Sequence, residues 1–250
     1  MTAQDHEDAS DIVAAAGELL LSRRAWGSTA GWSSDELGRQ ADRTANEFIL
    51  RQLIARHPDD PVLSEEAEDP RSRLVSRRVW IVDPLDGTWE FGEGRDDWGV
   101  NIALVVDGVP VVGAMALPAS GRTLCTAHPW EVPRQTRRLL ILVSRSRAPA
   151  FAVGVAERLR AELRALGSAA AKAAAVLTGE ADIYLHADGM YEWDSAAPVA
   201  LARACGLHAS RLDGSSLRYN QPDPFLPDLL ICLPELADDV IEAVRECSFP

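Results

Sequence analysis

"VWIVDPLDGTWEF", residues 79–91, joins an apolar run to a turn rich in acidic residues. The run Val79–Val82 is short, uncharged and mostly β-branched, which predicts a buried central strand that ends at Asp83. Because Pro84 hinders simple continuation of the strand, Asp86 is expected to turn back toward the same space. The stretch therefore predicts two carboxylates that face one point.

Gly87 and Thr88 follow these acids with backbone N–H groups that suit a bound anion. Three other uses of an acidic turn fail on spacing. An EF-hand loop would need oxygen ligands at Leu85 and Gly87. A phosphatase with an aspartyl nucleophile needs two acids that are two residues apart. A Walker A loop needs Gly-Lys-Ser/Thr, which residues 91–97 lack. Coordination of a divalent metal remains, with simple turn initiation by aspartate as the alternative.

A second acidic motif is "VLSEE", residues 62–66. It places Glu65 and Glu66 at the end of a predicted strand, where consecutive side chains point to opposite faces. Only one of them can be a direct metal ligand, and the other either supports that ligand or serves a more weakly held ion. A solvated acidic loop is the alternative for this motif.

The third acidic motif is "YEWDSAA", residues 191–197, in which Asp194 is expected to be the N-cap of a helix over 195–205. Carboxylates from all three motifs would repel each other in one cleft unless cations neutralised them or some were protonated. The candidate ligands are hard oxygens, and the five histidines are scattered. This donor set favours Mg²⁺ or Mn²⁺ over Zn²⁺.

The charge balance excludes some partners. The chain has 38 acidic and 25 basic residues, a net charge of −13, and no Lys/Arg run that could follow a nucleic-acid backbone. A phosphate substrate would therefore need bound cations to reverse the local field. No apolar stretch approaches the roughly 18 residues of a membrane span, which excludes a transmembrane role. Four widely spaced cysteines and an opening stretch without an apolar leader predict a reducing, cytoplasmic location.

Apolar periodicity predicts an α+β domain over residues 1–137. Its expected elements are amphipathic helices over 11–24 and 33–58, a strand over 61–66, the central strand, a hairpin that turns at Asp107-Gly108, and a further strand over 122–127. A stretch with two prolines and no periodicity then places a domain boundary near residue 137.

Residues 138–250 alternate between strand and helix patterns. The expected elements are a strand over 139–146, helices over 149–166 and 168–179, a strand over 181–187, and a helix over 194–206. This alternation predicts an α/β fold in which an α/β half packs against the α+β half.

Asp42, "SEE" at 64–66, "DPLDGT" at 83–88 and "WDSAA" at 193–197 together resemble the lithium-sensitive, Mg²⁺-dependent phosphomonoesterase superfamily. Inositol monophosphatases, fructose-1,6-bisphosphatases and 3'(2'),5'-bisphosphate nucleotidases belong to it, and the order and spacing of the motifs match over residues 35–206. The resemblance implies a layered αβαβα fold.

The stretches "PVLSEE", "WIVDPLDGTWEF", "VNIALV" and "VSRS" are most similar to the CysQ-type bisphosphate nucleotidases. Those enzymes remove the 3'-phosphate of adenosine 3',5'-bisphosphate, a by-product of sulfate activation. The resemblance thus implies this activity, with 3'-phosphoadenosine 5'-phosphosulfate as a further substrate. Inositol-1-phosphate or fructose 1,6-bisphosphate hydrolysis is the alternative, and a cation-binding protein without turnover is the alternative of another class.

The resemblance also implies roles for the acidic residues, with two or three Mg²⁺ ions per site and Mn²⁺ as a substitute. Glu65, Asp83 and the carbonyl of Leu85 would hold one ion. Asp83, Asp86 and Asp194 would hold a second, with Asp83 as the bridge and with Asp86 and Asp194 also facing the substrate. Two such ions about 3.5–4 Å apart can stabilise the entering and leaving oxygens of an in-line displacement.

The remaining implied roles concern water and phosphate. The amides of Gly87 and Thr88 would bind the phosphate, and Thr88 with Asp42 would orient and deprotonate the attacking water. Glu66 would support a third, weaker ion. Related enzymes are often homodimers and are sensitive to lithium, so the resemblance implies both properties here.

Two departures from the nucleotidase pattern concern the substrate. Trp89 stands where those enzymes often carry lysine, and "GSAAAK" places Lys172 one position late. Lys172 either contacts a second phosphate or is an exposed helix lysine. Arg145 and Arg147 end a predicted strand and are candidates for the distal phosphate. Tyrosines 184 and 191 either stack on an adenine or pack in the core, and core packing is the prediction.

Overall fold

The structure is a computed structural model that describes residues 2–134 and 137–248. The helices are α1 (Ala3–Ala30), α2 (Ser34–Arg56), α3 (Thr88–Gly92), α4 (Ala152–Arg158), α5 (Ala169–Leu177), α6 (Glu192–Ala204) and α7 (Ala237–Ser248). The strands are β1 (Val62–Ser64), β2 (Arg78–Asp86), β3 (Gly99–Val106), β4 (Val109–Leu117), β5 (Arg122–Cys125), β6 (Leu140–Ser144), β7 (Glu162–Leu166), β8 (Ile183–His186), β9 (Met190–Tyr191), β10 (His208–Ser210), β11 (Phe225–Leu226) and β12 (Leu229–Cys232).

The first large sheet has the strand order β1-β2-β3-β4-β5, parallel between β1 and β2 and antiparallel elsewhere. The predicted hairpin joins β3 to β4. Asp107 and Gly108 both adopt positive φ, 52° and 78°, as a tight two-residue turn between twisted strands requires. The further strand predicted over 122–127 is β5.

Strand β2 continues three residues beyond its predicted end. It passes through Pro84 to Asp86, and its pairing with β3 shifts register between Asp83, opposite Asn101, and Asp86, opposite Gly99. Residues three apart point to opposite faces of a regular strand. One extra residue on β2 forms a bulge, which accommodates the proline and brings the two carboxylates to the same side.

The second large sheet has the order β10-β12-β8-β6-β7. Its edge strand β7 corrects the prediction of one helix over 149–166: α4 ends at Arg158, and Glu162–Leu166 pairs in parallel with β6. Arg160 has a φ of 52°, which a right-handed helix does not allow. Pairing with β6 thus overrides the helical propensity of this stretch.

Five layers result from the packing of helices on these sheets. Helices α1 and α2 share a buried core with the outer face of the first sheet, α5 and α6 fill the space between the sheets, and α4 and α7 cover the outer face of the second. Small residues allow close approach in the middle layer, because a Cβ on Gly113 of β4 would lie 2.7 Å from the carbonyl oxygen of Ala197 on α6. The αβαβα architecture that the resemblance implied is confirmed.

Helix α1 is longer than predicted. It begins after Thr2, whose hydroxyl accepts a hydrogen bond from the backbone N–H of Asp5 at 3.2 Å, and ends at Gly31 with a φ of 76°. In the part of the chain that the structure describes, no helix is both long and apolar enough to cross a bilayer. The boundary predicted near residue 137 adjoins residues 135–136, which lie outside the described residues, so the two-domain division stays a prediction.

Candidate active site

Three aspartates from two distant parts of the sequence meet at the bulge of β2. One carboxylate oxygen from each of Asp83, Asp86 and Asp194 lies within 4.8 Å of the others. The two residues of β2 are buried, and Asp194 reaches them from the first turn of α6. The structure therefore brings together the three carboxylates that were assigned to one metal ion in the sequence analysis.

Backbone N–H groups orient the two carboxylates of β2. Asp83 Oδ1 accepts a hydrogen bond from the N–H of Leu85 at 3.2 Å, while its buried Oδ2 has no partner among the described residues. Asp86 Oδ1 accepts from the N–H of Ala169 at 3.1 Å, and its Oδ2 accepts from that of Ala170. Because a carboxylate oxygen has two lone pairs, each group keeps capacity for a cation.

Asp194 is not the N-cap of its helix. Helix α6 begins at Glu192, two residues before Asp194, and Tyr191 occupies the cap position. Pairing of Tyr191 with Phe225 fixes the chain just before the helix, so Asp194 falls in the first turn and accepts from the Tyr191 N–H at 2.6 Å. Glu192, which the sequence analysis did not single out, is buried and accepts backbone hydrogen bonds from residues 220 and 221.

Glu65 and Glu66 follow β1 at the exposed edge of the cluster. The pKa of Glu65 is raised to about 8, first by partial desolvation in the cleft and then by the carboxylates of Asp42 and Asp194. Asp42 lies on α2 and is buried, which together with the charge of Glu66 raises its pKa to about 7. Glu65 is thus close enough to the cluster for the other carboxylates to affect its ionisation, and Glu66 is close enough to Asp42 to affect that residue.

Burial and mutual repulsion disfavour full ionisation of the cluster at neutral pH in the absence of a counterion. Burial and then the charge of Asp86 raise the pKa of Asp194 to about 7, and the same two causes raise the pKa of Asp83 well above its ordinary value. Asp83 Oδ2 is a buried acceptor with no donor, and the whole set consists of hard oxygens. These residues therefore fit a divalent cation of the Mg²⁺ type.

Thr88 forms a pair with Asp42 beside this cluster. Its hydroxyl lies 3.1 Å from Asp42 Oδ2 and 3.0 Å from the carbonyl oxygen of Leu85, and it can donate to either. Asp42 Oδ1 is buried and has no partner in the described part of the chain. The preceding Gly87 has a φ of 91°, and a Cβ there would lie 2.9 Å from Ser168 Cβ. Only glycine fits this turn.

A cavity of about 250 Å³ opens over the site, bounded by the turn of residues 86–90 and by Asp194. The opposite wall comes from the second half of the chain and carries hydrogen-bond donors and cations. Its polar side chains are Ser144, Ser146, Arg147, Ser168, Lys172, Tyr184 and His186. The acidic and basic walls together suit a small ligand with more than one anionic group.

Arg145 forms ion pairs with two carboxylates of the protein. It donates to Glu90 Oε1 at 2.9 Å and to Asp97 Oδ2, and it is not among the residues that line the cavity. The geometry therefore does not support Arg145 as a ligand of the distal phosphate. Neither Glu90 nor Asp97 is a free solvated acid, since both pair with Arg145, which follows the end of β6 some fifty residues away in the sequence.

Lys172 is buried, so the interpretation as an exposed helix lysine is wrong. Its Nζ donates to the carbonyl oxygens of Gly167 and Ser168, at 2.7 Å to the latter, and lies 5.2 Å from the ring centroid of Tyr184. Burial lowers the pKa of Lys172 to about 8, against the opposing effect of Asp86. This lysine is positioned to stabilise the loop before α5 and offset part of the acidic charge.

The tyrosines and Trp89 are divided between the core and the surface. Tyr184 is fully buried, as predicted, but its hydroxyl has no partner among the described residues and its side chain lines the cavity. Tyr191 is 45% exposed and stacks on Trp193, contrary to the prediction of core packing. Trp89 is 56% exposed at the rim of the cavity.

The model of the inositol monophosphatase family matches residues 4–248, and the chain belongs to that family. It is 49% identical over 245 residues to the 3'-phosphoadenosine 5'-phosphate phosphatase of Mycobacterium bovis, covering 92% of this chain and 90% of that protein. It is 34% identical over 200 residues to the 3'(2'),5'-bisphosphate nucleotidase CysQ of Escherichia coli K12, covering 74% and 80%.

Solved structures of inositol monophosphatase family members superpose on this chain. CysQ from Bacteroides thetaiotaomicron superposes with a TM-score of 0.77 at 28% identity, covering 92% of this chain and 97% of that one. An inositol monophosphatase from Thermotoga maritima superposes with a TM-score of 0.75 at 22% identity and 95% coverage of each chain, which shows the shared fold. The family resemblance drawn from the sequence motifs is confirmed.

Proposed function

We propose that this chain is a Mg²⁺-dependent phosphomonoesterase that hydrolyses the 3'-phosphate of adenosine 3',5'-bisphosphate to give AMP and phosphate. The observation that carries the proposal is the convergence of Asp83, Asp86 and Asp194 next to the Thr88–Asp42 pair. The 49% identical relative is named for this substrate, and the second relative is named for the same class of bisphosphate nucleotide.

Two overlapping sets of acidic residues would bind two cations. Asp83, Asp86 and Asp194 would hold one ion, while Glu65, Asp83 and the carbonyl of Leu85 would hold another. When bound, such ions supply Lewis acidity that activates water and offsets the charge that builds up on the phosphate oxygens. The acidic net charge of the chain then does not repel the substrate, because the ions set the local field.

Other groups of the chain position the reactants. Thr88 can donate its hydroxyl hydrogen to Asp42 and accept one from the attacking water, which fixes the direction of attack. Asp42, with its pKa raised to about 7, can take up the proton that water releases near neutral pH. The amides of Gly87 and Thr88 would bind the phosphate oxygens, and Glu66 would support a weaker third ion.

A substrate panel tests the proposal. Phosphate release with Mg²⁺ is measured for adenosine 3',5'-bisphosphate, inositol-1-phosphate and fructose 1,6-bisphosphate. We expect the highest kcat/KM for the nucleotide. A preference of about tenfold or more for inositol-1-phosphate, about 1.4 kcal/mol in transition-state stabilisation, would contradict the nucleotidase assignment and leave the phosphatase class intact.

A further inference from the structure

Glu192 is a buried carboxylate that the proposed chemistry does not use. It is the first residue of α6, stands two positions before Asp194 and is 1% exposed. Residues two apart on a helix point to nearly opposite sides. Asp194 reaches the carboxylates of β2, whereas Glu192 contacts the chain between β10 and β11. Glu192 therefore lies outside the metal cluster, and its contacts indicate a different role.

Two consecutive backbone N–H groups hold the carboxylate of Glu192. Its Oε2 accepts from the N–H of Asn220 at 2.6 Å, and its Oε1 accepts from that of Gln221 at 2.8 Å. Asn220 has a φ of 60°. Asparagine tolerates this left-handed conformation better than most residues, and the conformation lets successive N–H groups converge on one anion. A single carboxylate thus fixes the start of α6 against this turn.

A buried arginine binds the opposite side of the same turn. Arg73 is fully buried in the loop between β1 and β2, and its Nη1 donates to Asn220 Oδ1 at 2.8 Å and to the carbonyl oxygen of Gln221 at 2.9 Å. Asn220 Nδ2 donates back to the carbonyl oxygen of Arg73 at 2.9 Å. The guanidinium also donates two hydrogen bonds to Asp69. Residues 220–221 therefore lie between a buried cation and a buried anion, and each charge has the hydrogen-bond partners that burial requires.

These contacts join two segments that carry candidate metal ligands. The loop that contains Arg73 begins at Glu65, directly after β1, and α6 carries Asp194 in its first turn. The carboxylate of Asp194 accepts the N–H of Tyr191 at 2.6 Å, so this hydrogen bond spans Glu192. A shift of Glu192 would therefore change the direction in which the Asp194 carboxylate points.

We propose that Glu192 is a positioning residue, which together with Asn220 and Arg73 fixes the first turn of α6 so that Asp194 faces the other candidate metal ligands. This inference rests on the proposed function, because it assigns the preorganisation of a Mg²⁺ site to groups that do not touch the ion. Loss of such a supporting group typically costs about 10- to 100-fold in metal affinity.

Glu192→Ala and Glu192→Gln test this role. In Glu192→Ala we expect calorimetry to show Mg²⁺ affinity lower by about 10- to 100-fold. The kcat at saturating Mg²⁺ should keep most of its value, because the groups at the reaction centre are intact. In chelator, hydrogen exchange of the Tyr191 amide should accelerate by about tenfold or more, because Asp194 is no longer held in place. Glu192→Gln keeps one oxygen acceptor for the two N–H groups, so its effects should lie between those of Glu192→Ala and wild type.

Asn220→Gly separates the two halves of the network. Glycine adopts positive φ and keeps both backbone N–H groups for Glu192, but it lacks the side chain that contacts Arg73. We expect a smaller loss of Mg²⁺ affinity than in Glu192→Ala. In the double variant, the loss of binding free energy should be less than the sum of the two single losses, because both substitutions act through one turn.

Asp182→Ala is the matched control. Asp182 is also a buried carboxylate, 4% exposed, which accepts the N–H of Leu140 at 2.7 Å and pairs with Arg137. It directly precedes β8 and does not line the cavity. This variant should lower the melting temperature, as Glu192→Ala does, but it should leave Mg²⁺ affinity and the exchange of the Tyr191 amide unchanged.

Unchanged Mg²⁺ affinity or unchanged Tyr191 exchange in folded Glu192→Ala would overturn the positioning role. Equal losses of affinity in Glu192→Ala and Asp182→Ala would also overturn it, because they would show only general destabilisation. If Glu192→Ala does not fold, the same criteria apply to Glu192→Gln and Asn220→Gly. A wild-type protein that bound no Mg²⁺ and hydrolysed no phosphate ester would instead contradict the proposed function, whereas Tyr191 exchange would still report whether Glu192 positions Asp194.

Discussion

Asp86 on β2 accepts a hydrogen bond from the backbone N–H of Ala169, the first residue of α5, at 3.1 Å. The residues are 83 positions apart in the chain. A carboxylate of the proposed metal site thus also occupies the N-terminus of a helix from the second half, where the helix dipole favours negative charge. A substitution of Asp86 should therefore affect both the proposed metal site and the start of α5.

Replacement of Asp86 by alanine should loosen the start of α5. The amides of Ala169 and Ala170 lose their acceptor, so we expect their hydrogen exchange to accelerate by about tenfold or more, as for a lost hydrogen bond of about 1–2 kcal/mol. Exchange is measured without metal at pH 6. Asp86→Asn, which keeps one amide oxygen as an acceptor, should show a smaller effect. Unchanged exchange at both amides in the alanine variant would contradict this helix-capping role.

Asp83→Asn should abolish phosphatase activity in a folded protein. Asp83 is the proposed bridge between two ions, and we expect kcat/KM to fall by about 10³-fold or more, which is about 4 kcal/mol. Glu93→Gln is the matched control, because Glu93 is an exposed acid of the neighbouring turn outside the cavity. Activity is measured by phosphate release and folding by thermal melting. Survival of substantial activity in Asp83→Asn would exclude the bridging role.

Thr88→Val removes the hydroxyl but keeps the shape of the side chain. Without a donor to Asp42 and an acceptor for water, kcat should fall by about 10²- to 10³-fold while Mg²⁺ affinity changes little. Thr88→Ser should retain most of the activity. Calorimetric titration with Mg²⁺ gives the affinity, and phosphate release gives kcat. Equal activity of the valine variant and wild type would contradict the role of Thr88 in positioning the attacking water.

The metal-free protein should lose stability as the pH rises from 5 to 8. Asp42 and Asp194 have folded-state pKa values of about 7, above the ordinary value of 3.8, and Glu65 is raised to about 8. Because the folded state binds these protons more tightly, their stabilising effect is complete below about pH 4 and is lost as the pH rises through 7 to 8. Thermal melting in chelator should show the decrease.

Mg²⁺ should reverse this pH dependence, because cation binding replaces the protons. At pH 8 the melting temperature should rise with Mg²⁺, and at pH 7 binding should release protons, so that the calorimetric enthalpy depends on the ionisation enthalpy of the buffer. Asp42→Asn is the informative variant, since it should remove the part of the metal-free pH dependence that comes from Asp42 and leave the part from Asp194 and Glu65. A melting temperature that increases with pH in chelator would show that the cluster is ionised without metal.

Local patterns in the sequence determined much of this protein. The periodicity of α2 and α5, the Asp-Gly turn between β3 and β4, and the β-branched runs predicted those elements because neighbouring residues set their geometry. The spacing of the acidic motifs predicted the family and the residues that converge at the bulge of β2. These features depend on the properties of residues that are close together in the sequence, so one sequence is enough to predict them.

Contacts between distant residues decided the rest. Helix propensity predicted one helix over 149–166, but pairing with β6 made 162–166 a strand. The sequence presents Arg145 and Arg147 as equivalent cations, and only the positions of Glu90 and Asp97 neutralise the first. The sequence alone supplied the carboxylates and hydroxyls that the proposed reaction needs. The tertiary structure decided which of the charged groups are already paired, because pairing and burial depend on residues far away in the chain.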